Sequence, residues 1–239
     1  MTDTRRSYHQ ELDLVRDEIV RMASSVCEII PRGTGILLDG DLEGADYVIL
    51  ADDELDARAL ELEERCYQLL ALQQPVARDL RTIVAALKIV GEVERSADLV
   101  VNICKAARRI HGHDLDPKLR GIIHRMSDQA QHLFSCAVRA YTDNDAALAS
   151  ALDDMDNLLD ALQREFIQAI FESHAGGRVD LQVAVQLAVV CRFYERIGDH
   201  AVNVGERVQY MVTGWLPEHT GAARLGVRRQ LAAEDAEPT

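Results

Sequence analysis

Acidic residues recur four positions apart at two places in this sequence. Glu94, Asp98 and Asn102 have this spacing within VERSADLVVN, and Glu195, Asp199 and Asn203 have it within YERIGDHAVN. Residues four apart lie on one face of an α-helix, so each stretch would present two carboxylates and an amide together. Carboxylate oxygens suit hard cations, and two uncompensated carboxylates would be costly to bury. Each stretch therefore predicts a compensating cation, which could be a basic side chain of the protein or a metal ion from solution.

A second set of acidic pairs accompanies the first. Asp52 with Asp56, and Asp156 with Asp160, have the same four-residue spacing. A shift of 101 residues superposes Glu94 on Glu195, and a shift of 104 superposes Asp52 on Asp156. The chain is therefore an internal duplication in which each half brings four carboxylates together from two helices.

Helices must position these residues, because apolar residues recur at spacings of three and four through most of the chain and only 5% of residues are aromatic. We predict six helices. They run from about Thr4 to the IIPRGTGILL patch, from after DGDLEGA to about Leu72, from after QQPVARD to about Arg109, from Asp116 and Pro117 to before TDND, from after TDND to about Ser173, and from about Val179 to Val212. Pro31 should kink or break the first helix.

The duplication predicts an all-α chain of two domains and a tail. The first three-helix repeat would span 1–112 and the second 113–215, with HGHDLD as the linker between them. Residues 216–239 have little periodicity and many small or charged residues, so we expect a flexible C-terminal tail there.

The acidic pairs of the third and sixth helices continue apolar faces. At about 100° per residue, Glu94 and Asp98 follow Leu80, Leu87 and Gly91 along one side of the third helix. Like charges on a buried side need compensation, and spacing alone leaves two sources of it equally open. Arginines 95, 192 and 196 could form an ion-pair network, or eight carboxylate oxygens per half could hold one or more metal ions.

The ligand types narrow the metal interpretation. An oxygen-only set argues against a dedicated zinc or copper site, and the carboxylate helices lack the Glu-x-x-His pattern of ferritin-like di-iron proteins. His200 points about 100° away from Asp199 on the same helix, so we interpret it as a surface or helix-contact residue rather than a ligand.

Composition excludes several classes of function. The 239 residues carry a formal net charge of -14, which disfavours nucleic acid as a partner. The five cysteines form no CxxC pair, which is typical of reduced thiols in an intracellular protein. The amino terminus lacks a signal-type apolar region, and no apolar run approaches the roughly 18 residues that a membrane span requires. We therefore expect a cytoplasmic protein without direct membrane insertion.

Two long stretches resemble a known family. YQLLALQQPVARDLRTIVAALKIVGEVERSADLVVNICK and CRFYERIGDHAVNVGERV are similar to the signature stretches of the PhoU family, the phosphate-uptake regulators of bacteria. The resemblance implies two tandem three-helix bundles related by pseudo-twofold symmetry, with multinuclear metal clusters held by paired E(D)xxxD motifs. One cluster would use Asp52, Asp56, Glu94 and Asp98, and the other Asp156, Asp160, Glu195 and Asp199, with Asn102 and Asn203 supporting the ligands.

The resemblance also implies cofactors, partners and a role. The cofactors would be divalent or trivalent metal ions, with iron favoured and zinc, manganese or magnesium as alternatives. The chain would be a non-enzymatic, negative regulator that links the nucleotide-binding subunit of the phosphate ABC transporter to a sensor histidine kinase, and it would form a homodimer. The alternative function is a carboxylate-bridged metalloenzyme, a hydrolase or an oxidase.

The chain departs from the family pattern in places. IIPRGTG interrupts a first helix that the family keeps long, and Ser96 and Ala97 stand where the second half has Ile197 and Gly198. The first site is therefore expected to be less well formed than the second.

Overall fold

The computed structural model describes residues 2–215, and their side chains from residue 8 onward. That part of the chain forms six α-helices and no strand. They are α1 (Thr2–Asp39), α2 (Leu42–Gln73), α3 (Ala77–Arg109), α4 (Pro117–Asp143), α5 (Ala146–Ala175) and α6 (Leu181–Thr213). The predicted all-α fold of six long helices is confirmed. The predicted tail, 216–239, lies outside the described residues.

Aspartate caps four of the six helices at their N-termini. The side chains of Asp41, Asp116, Asp145 and Asp180 each accept a hydrogen bond from a backbone N–H of the first turn. The cap at Asp41 makes α2 begin at Leu42, so the prediction that this helix starts only after DGDLEGA was wrong. No described helix carries an apolar stretch of the kind that a bilayer crossing demands.

Pro31 lies inside α1, which continues to Asp39. Of the two outcomes predicted for this proline, a kink or a break, the break was therefore wrong. Proline has no N–H for the carbonyl four residues earlier, which belongs to Cys27. The side chain of Gln131 on α4 donates a hydrogen bond to that carbonyl at 3.0 Å. The proline ring itself is exposed. A neighbouring helix therefore satisfies the acceptor that the proline leaves unpaired.

The six helices pack as two groups of three. Helices α1, α2 and α3 contact one another, α4, α5 and α6 do the same, and the groups meet through α1 with α4 and α3 with α6. Equivalent helices of the duplication thus face each other, as a pseudo-twofold relation requires. A buried hydroxyl cluster crosses this junction, since Thr34 of α1 lies 2.7 Å from the hydroxyls of both Ser127 and Tyr194.

Candidate metal centre

The acidic residues of the first half lie along the seam between α2 and α3. Asp52 and Asp56 are one turn apart on α2, and Glu94 and Asp98 are one turn apart on α3. Asp52 and Glu94 are partly buried, whereas Asp56 and Asp98 are exposed. Each helix therefore places one carboxylate in the seam and one at its rim.

The four carboxylates of the first half repel one another. Partial burial and then the charges of Asp56, Asp98 and Glu94 raise the pKa of Asp52 to about 6, although Lys105 opposes the shift. Burial and then the charges of Asp98 and Asp56 raise the pKa of Glu94 as well. A raised carboxyl pKa means that the ionised form is disfavoured in the fold. A bound cation would therefore stabilise this surface at pH 7.

The second half repeats the arrangement on α5 and α6. Burial, followed by the charges of Asp160, Asp199 and Glu195, raises the pKa of Asp156 to about 6. Burial and then the charge of Asp199 raise the pKa of Glu195, and Arg192 partly offsets this. All four acidic residues predicted for this half thus share one surface.

Two buried carboxylate oxygens in the second half lack a partner within the described structure. They are Oδ1 of Asp156 and Oε2 of Glu195. Gly198 on α6 makes room for the first of them, because a Cβ atom at this position would lie 2.4 Å from Asp156 Oδ1. Buried acceptors are normally satisfied, so unpaired oxygens indicate a missing donor or ion. The chemistry of these residues fits a hard cation.

The two halves differ in the basic residues nearest to the carboxylates. Arg192 hydrogen-bonds to Oε1 of Glu195, whereas the equivalent position in the first half, by the shift of 101, is Gly91. Arg95 instead hydrogen-bonds to Glu92 at 2.6 Å. At Glu195, therefore, an arginine compensates one carboxylate oxygen, and the other oxygen has no partner within the described structure.

The side chains do not yet surround an ion. Among the described residues, no three His, Cys, Asp or Glu side chains stand where they could share one metal. The exposed members, Asp56, Asp98 and Asp199, lie at the rim and are free to change rotamer. The structure brings each set of four carboxylates to one seam without closing a coordination sphere.

A neighbouring polar cluster escaped the sequence analysis. Glu92 of α3 is 9% exposed and lies 2.6 Å from Nδ1 of His200 on α6. Asn203 donates to the same carboxylate at 3.2 Å. Burial raises the pKa of Glu92, but these hydrogen bonds and the charge of Arg95 outweigh it and leave the pKa lowered. His200 is therefore a buried helix-contact residue.

The two asparagines predicted to support the ligands thus have different surroundings. Asn203 is engaged by Glu92 across the junction between the halves. Asn102 lies one turn beyond Asp98 on α3 and is partly buried. A signal for Glu92 was available in principle, because it lies beside the apolar Ile89, Val90 and Val93, and an acidic residue in such surroundings needs a buried partner.

This architecture and its sequence are similar to those of known proteins. The model of the PhoU domain matches residues 19–107 and again 123–208. The chain belongs to the PhoU family. A Mycobacterium tuberculosis protein named phosphate-specific transport system accessory protein PhoU homolog 1 is 35% identical over 214 residues, which cover 89% of this chain and 96% of that protein.

Other PhoU proteins give the same result. A PhoU homolog of Clostridium acetobutylicum, with the same accessory-protein name, is 30% identical over 88% of this chain and 96% of its own length. The crystal structure of PhoU from Pseudomonas aeruginosa superposes with a TM-score of 0.81 at 27% identity, over 87% of this chain and all of that one. Each PhoU domain of the present chain contains one complete set of four carboxylates.

Proposed function

We propose that this PhoU-family protein is a metal-binding negative regulator of phosphate uptake and of the phosphate-starvation response. The observation that carries the proposal is the pair of carboxylate seams, one in each PhoU domain, with unpartnered buried oxygens at Asp156 and Glu195. The relatives named as accessory proteins of phosphate-specific transport support the phosphate role.

Eight residues would hold metal under this proposal. They are Asp52, Asp56, Glu94 and Asp98 in the first domain and Asp156, Asp160, Glu195 and Asp199 in the second. A bound metal ion would supply concentrated positive charge, for which iron, manganese, magnesium and zinc are the candidates. The partly buried Asp52 and Asp156 would anchor it, and the exposed aspartates would turn inward. Binding would thus tie α2 to α3 and α5 to α6.

The partners of this proposal are the nucleotide-binding subunit of the phosphate ABC transporter and a sensor histidine kinase. With a net charge of -14, the chain favours encounter with a basic protein face and is repelled by anionic lipid. Metal loading removes negative charge from two defined surfaces, so the metal state would alter docking. The homodimer stays a prediction.

The test is complementation of a strain that lacks the gene. Wild-type protein should restore repression of phosphate-starvation genes in high phosphate, and the Asp98→Asn, Asp199→Asn double variant should not. The matched control is Asp13→Asn with Asp17→Asn, because this exposed pair on α1 has the same spacing and no counterpart in the second half.

Each outcome of complementation has a distinct meaning. Failure of the wild-type protein to restore repression would refute the regulatory role. Full restoration by the Asp98→Asn, Asp199→Asn variant would separate regulation from the carboxylate seams. Hydrolysis of phosphate esters, or consumption of oxygen, by metal-loaded protein that is lost in the same variant would favour the metalloenzyme alternative.

A further inference from the structure

A groove opens between α1 and α2 in the first domain. It encloses a cavity of about 250 Å³. Its lining is mixed. Met22, Ile29, Val48, Leu55 and Val101 are among its apolar residues, the last of these contributed by α3, and its polar residues are Ser25, Arg32, Asp52, Glu54 and Arg58. The stretch of α1 that lines it, from Met22 to Arg32, is about 15 Å long at the rise of a helix.

The second domain shows how such a seam is closed. A shift of 104 residues superposes the buried Ile19 and Met22 of α1 on Ile123 and Met126 of α4. The same shift places Met155 of α5 at the position of Ala51. The seam between α4 and α5 is therefore the direct counterpart of the groove.

Gln129 and Met155, together with an ion pair between the two helices, fill that counterpart. Gln129, at the position of Ser25, donates a hydrogen bond to the carbonyl of Met155 at 3.0 Å. Leu162, at the position of Arg58, is buried. Arg125 makes two hydrogen bonds to Glu165 on α5 at 3.0 and 2.6 Å. At the equivalent positions of the first domain, Ser25 and Ala51 are smaller than Gln129 and Met155, and Arg21 pairs with Glu18 on its own helix instead of with α2.

The groove has a cationic end. The Arg32 guanidinium lies 4.5 Å from the centroid of the Tyr47 ring, and within the described structure it makes no ion pair with a carboxylate. A cation stacked on an aromatic face keeps its N–H edge available for an anion. Tyr47 and Leu50 extend the apolar surface beyond the groove, since they are 60% and 72% exposed.

We propose that this groove is the docking site for a short amphipathic helix of a partner protein. The helix would be about three turns long, the length of the groove. Its apolar face would enter between α1 and α2, as Met155 and Leu162 do in the second domain, and an acidic residue at one end would pair with Arg32. Which protein carries the helix rests on the proposed function, which names the transporter's nucleotide-binding subunit and the sensor kinase.

The groove also touches the candidate metal centre. Asp52, a proposed metal ligand, is one of its lining residues. A metal ion held at Asp52 would lower the negative charge beside the groove. The acidic residue of the docked helix is therefore expected to be repelled less by metal-loaded than by metal-free protein, so the metal state would alter the affinity for the partner.

The test closes the groove without touching a proposed ligand. Ala51→Met with Ser25→Gln installs the side chains that close the second domain, and Arg32→Glu reverses the charge at the groove end. Arg164→Glu, an exposed position on α5, is the charge control. Binding is measured to the intact transporter and to the full-length kinase in nanodiscs. Fluorescence of 8-anilinonaphthalene-1-sulfonate, an apolar anion, reports whether the groove itself is open.

The expected result is a loss of about tenfold or more in affinity for one partner, both in the closed variant and in Arg32→Glu, with Arg164→Glu within about twofold of wild type. Dye fluorescence should fall in the closed variant. Closed protein that binds both partners like wild type would overturn the proposal, as would unchanged dye fluorescence. Should the closed variant fold poorly, Arg32→Glu decides. Wild-type protein that binds neither partner would instead refute the proposed function. The proposed occupant of the groove would then be refuted as well.

Discussion

Replacing Gly198 with alanine tests the close contact that defines the second carboxylate seam. The new Cβ would lie 2.4 Å from Oδ1 of Asp156 and 2.7 Å from Cδ2 of Leu159. Both distances are shorter than van der Waals contact, and Leu159 is fully buried. The two side chains, or the helices that carry them, must therefore move.

Two opposing effects set the size of the change. Overpacking a close-packed interior costs about 1–3 kcal/mol. Alanine is a better helix former than glycine by about 0.8–1.0 kcal/mol, which offsets part of that cost. The net expectation is a loss of about 0–2 kcal/mol of unfolding free energy. Displacement of Asp156 should also reduce the rise in melting temperature that added metal produces.

Gly121→Ala calibrates the helix-propensity contribution. Gly121 lies in α4, and nothing stands within 4 Å of where its Cβ would be. This variant should gain about 0.8–1.0 kcal/mol, so urea unfolding in EDTA should separate the two variants by about 1–3 kcal/mol. If Gly198→Ala is stabilised as much as Gly121→Ala, the close approach of α5 to α6 at Asp156 is wrong.

Three further predictions concern charge and helix pairing. Lowering the pH from 7 to about 5 in EDTA should raise the melting temperature of wild-type protein more than that of Asp156→Asn, because a carboxyl whose pKa is raised to about 6 takes up its proton in the folded state first. In denaturant titrations of metal-free protein, Glu92→Gln should cost about 1–3 kcal/mol by disrupting a buried network, whereas Glu94→Gln should be stabilising because it removes a repelled charge. Gln131→Ala should cost about 1 kcal/mol in the wild type and much less with Pro31→Ala, whose restored N–H can pair with the same carbonyl, and a double-mutant cycle measures that coupling. Equal responses within any of these pairs would contradict the contact on which it rests.

The helices were predictable because their periodicity and caps are local. Asp116 and Pro117 signal the start of α4 in the sequence itself, and the structure begins the helix there. The fate of Pro31 was not predictable, because its consequence depends on Gln131, a hundred residues away. Helix propensity accounts for the proline alone, whereas the hydrogen-bond donor to the Cys27 carbonyl comes from the tertiary fold.

The candidate site was likewise predictable only in part from the sequence. A spacing of four residues, repeated in two halves, was enough to identify the carboxylates that share each seam. It could not show that Glu92 meets His200, because that contact depends on which side of α3 faces α6. Nor could it show that one oxygen of Glu195 is taken by Arg192 while the other is left without a partner.

Anomalous diffraction from crystals grown with iron or manganese tests the central claim most directly. The account predicts anomalous peaks at two places, one among Asp52, Asp56, Glu94 and Asp98 and one among Asp156, Asp160, Glu195 and Asp199, and it predicts that both vanish in crystals of the Asp98→Asn, Asp199→Asn variant. Peaks that lie elsewhere, or seams without peaks at a metal concentration that raises the melting temperature, would contradict it.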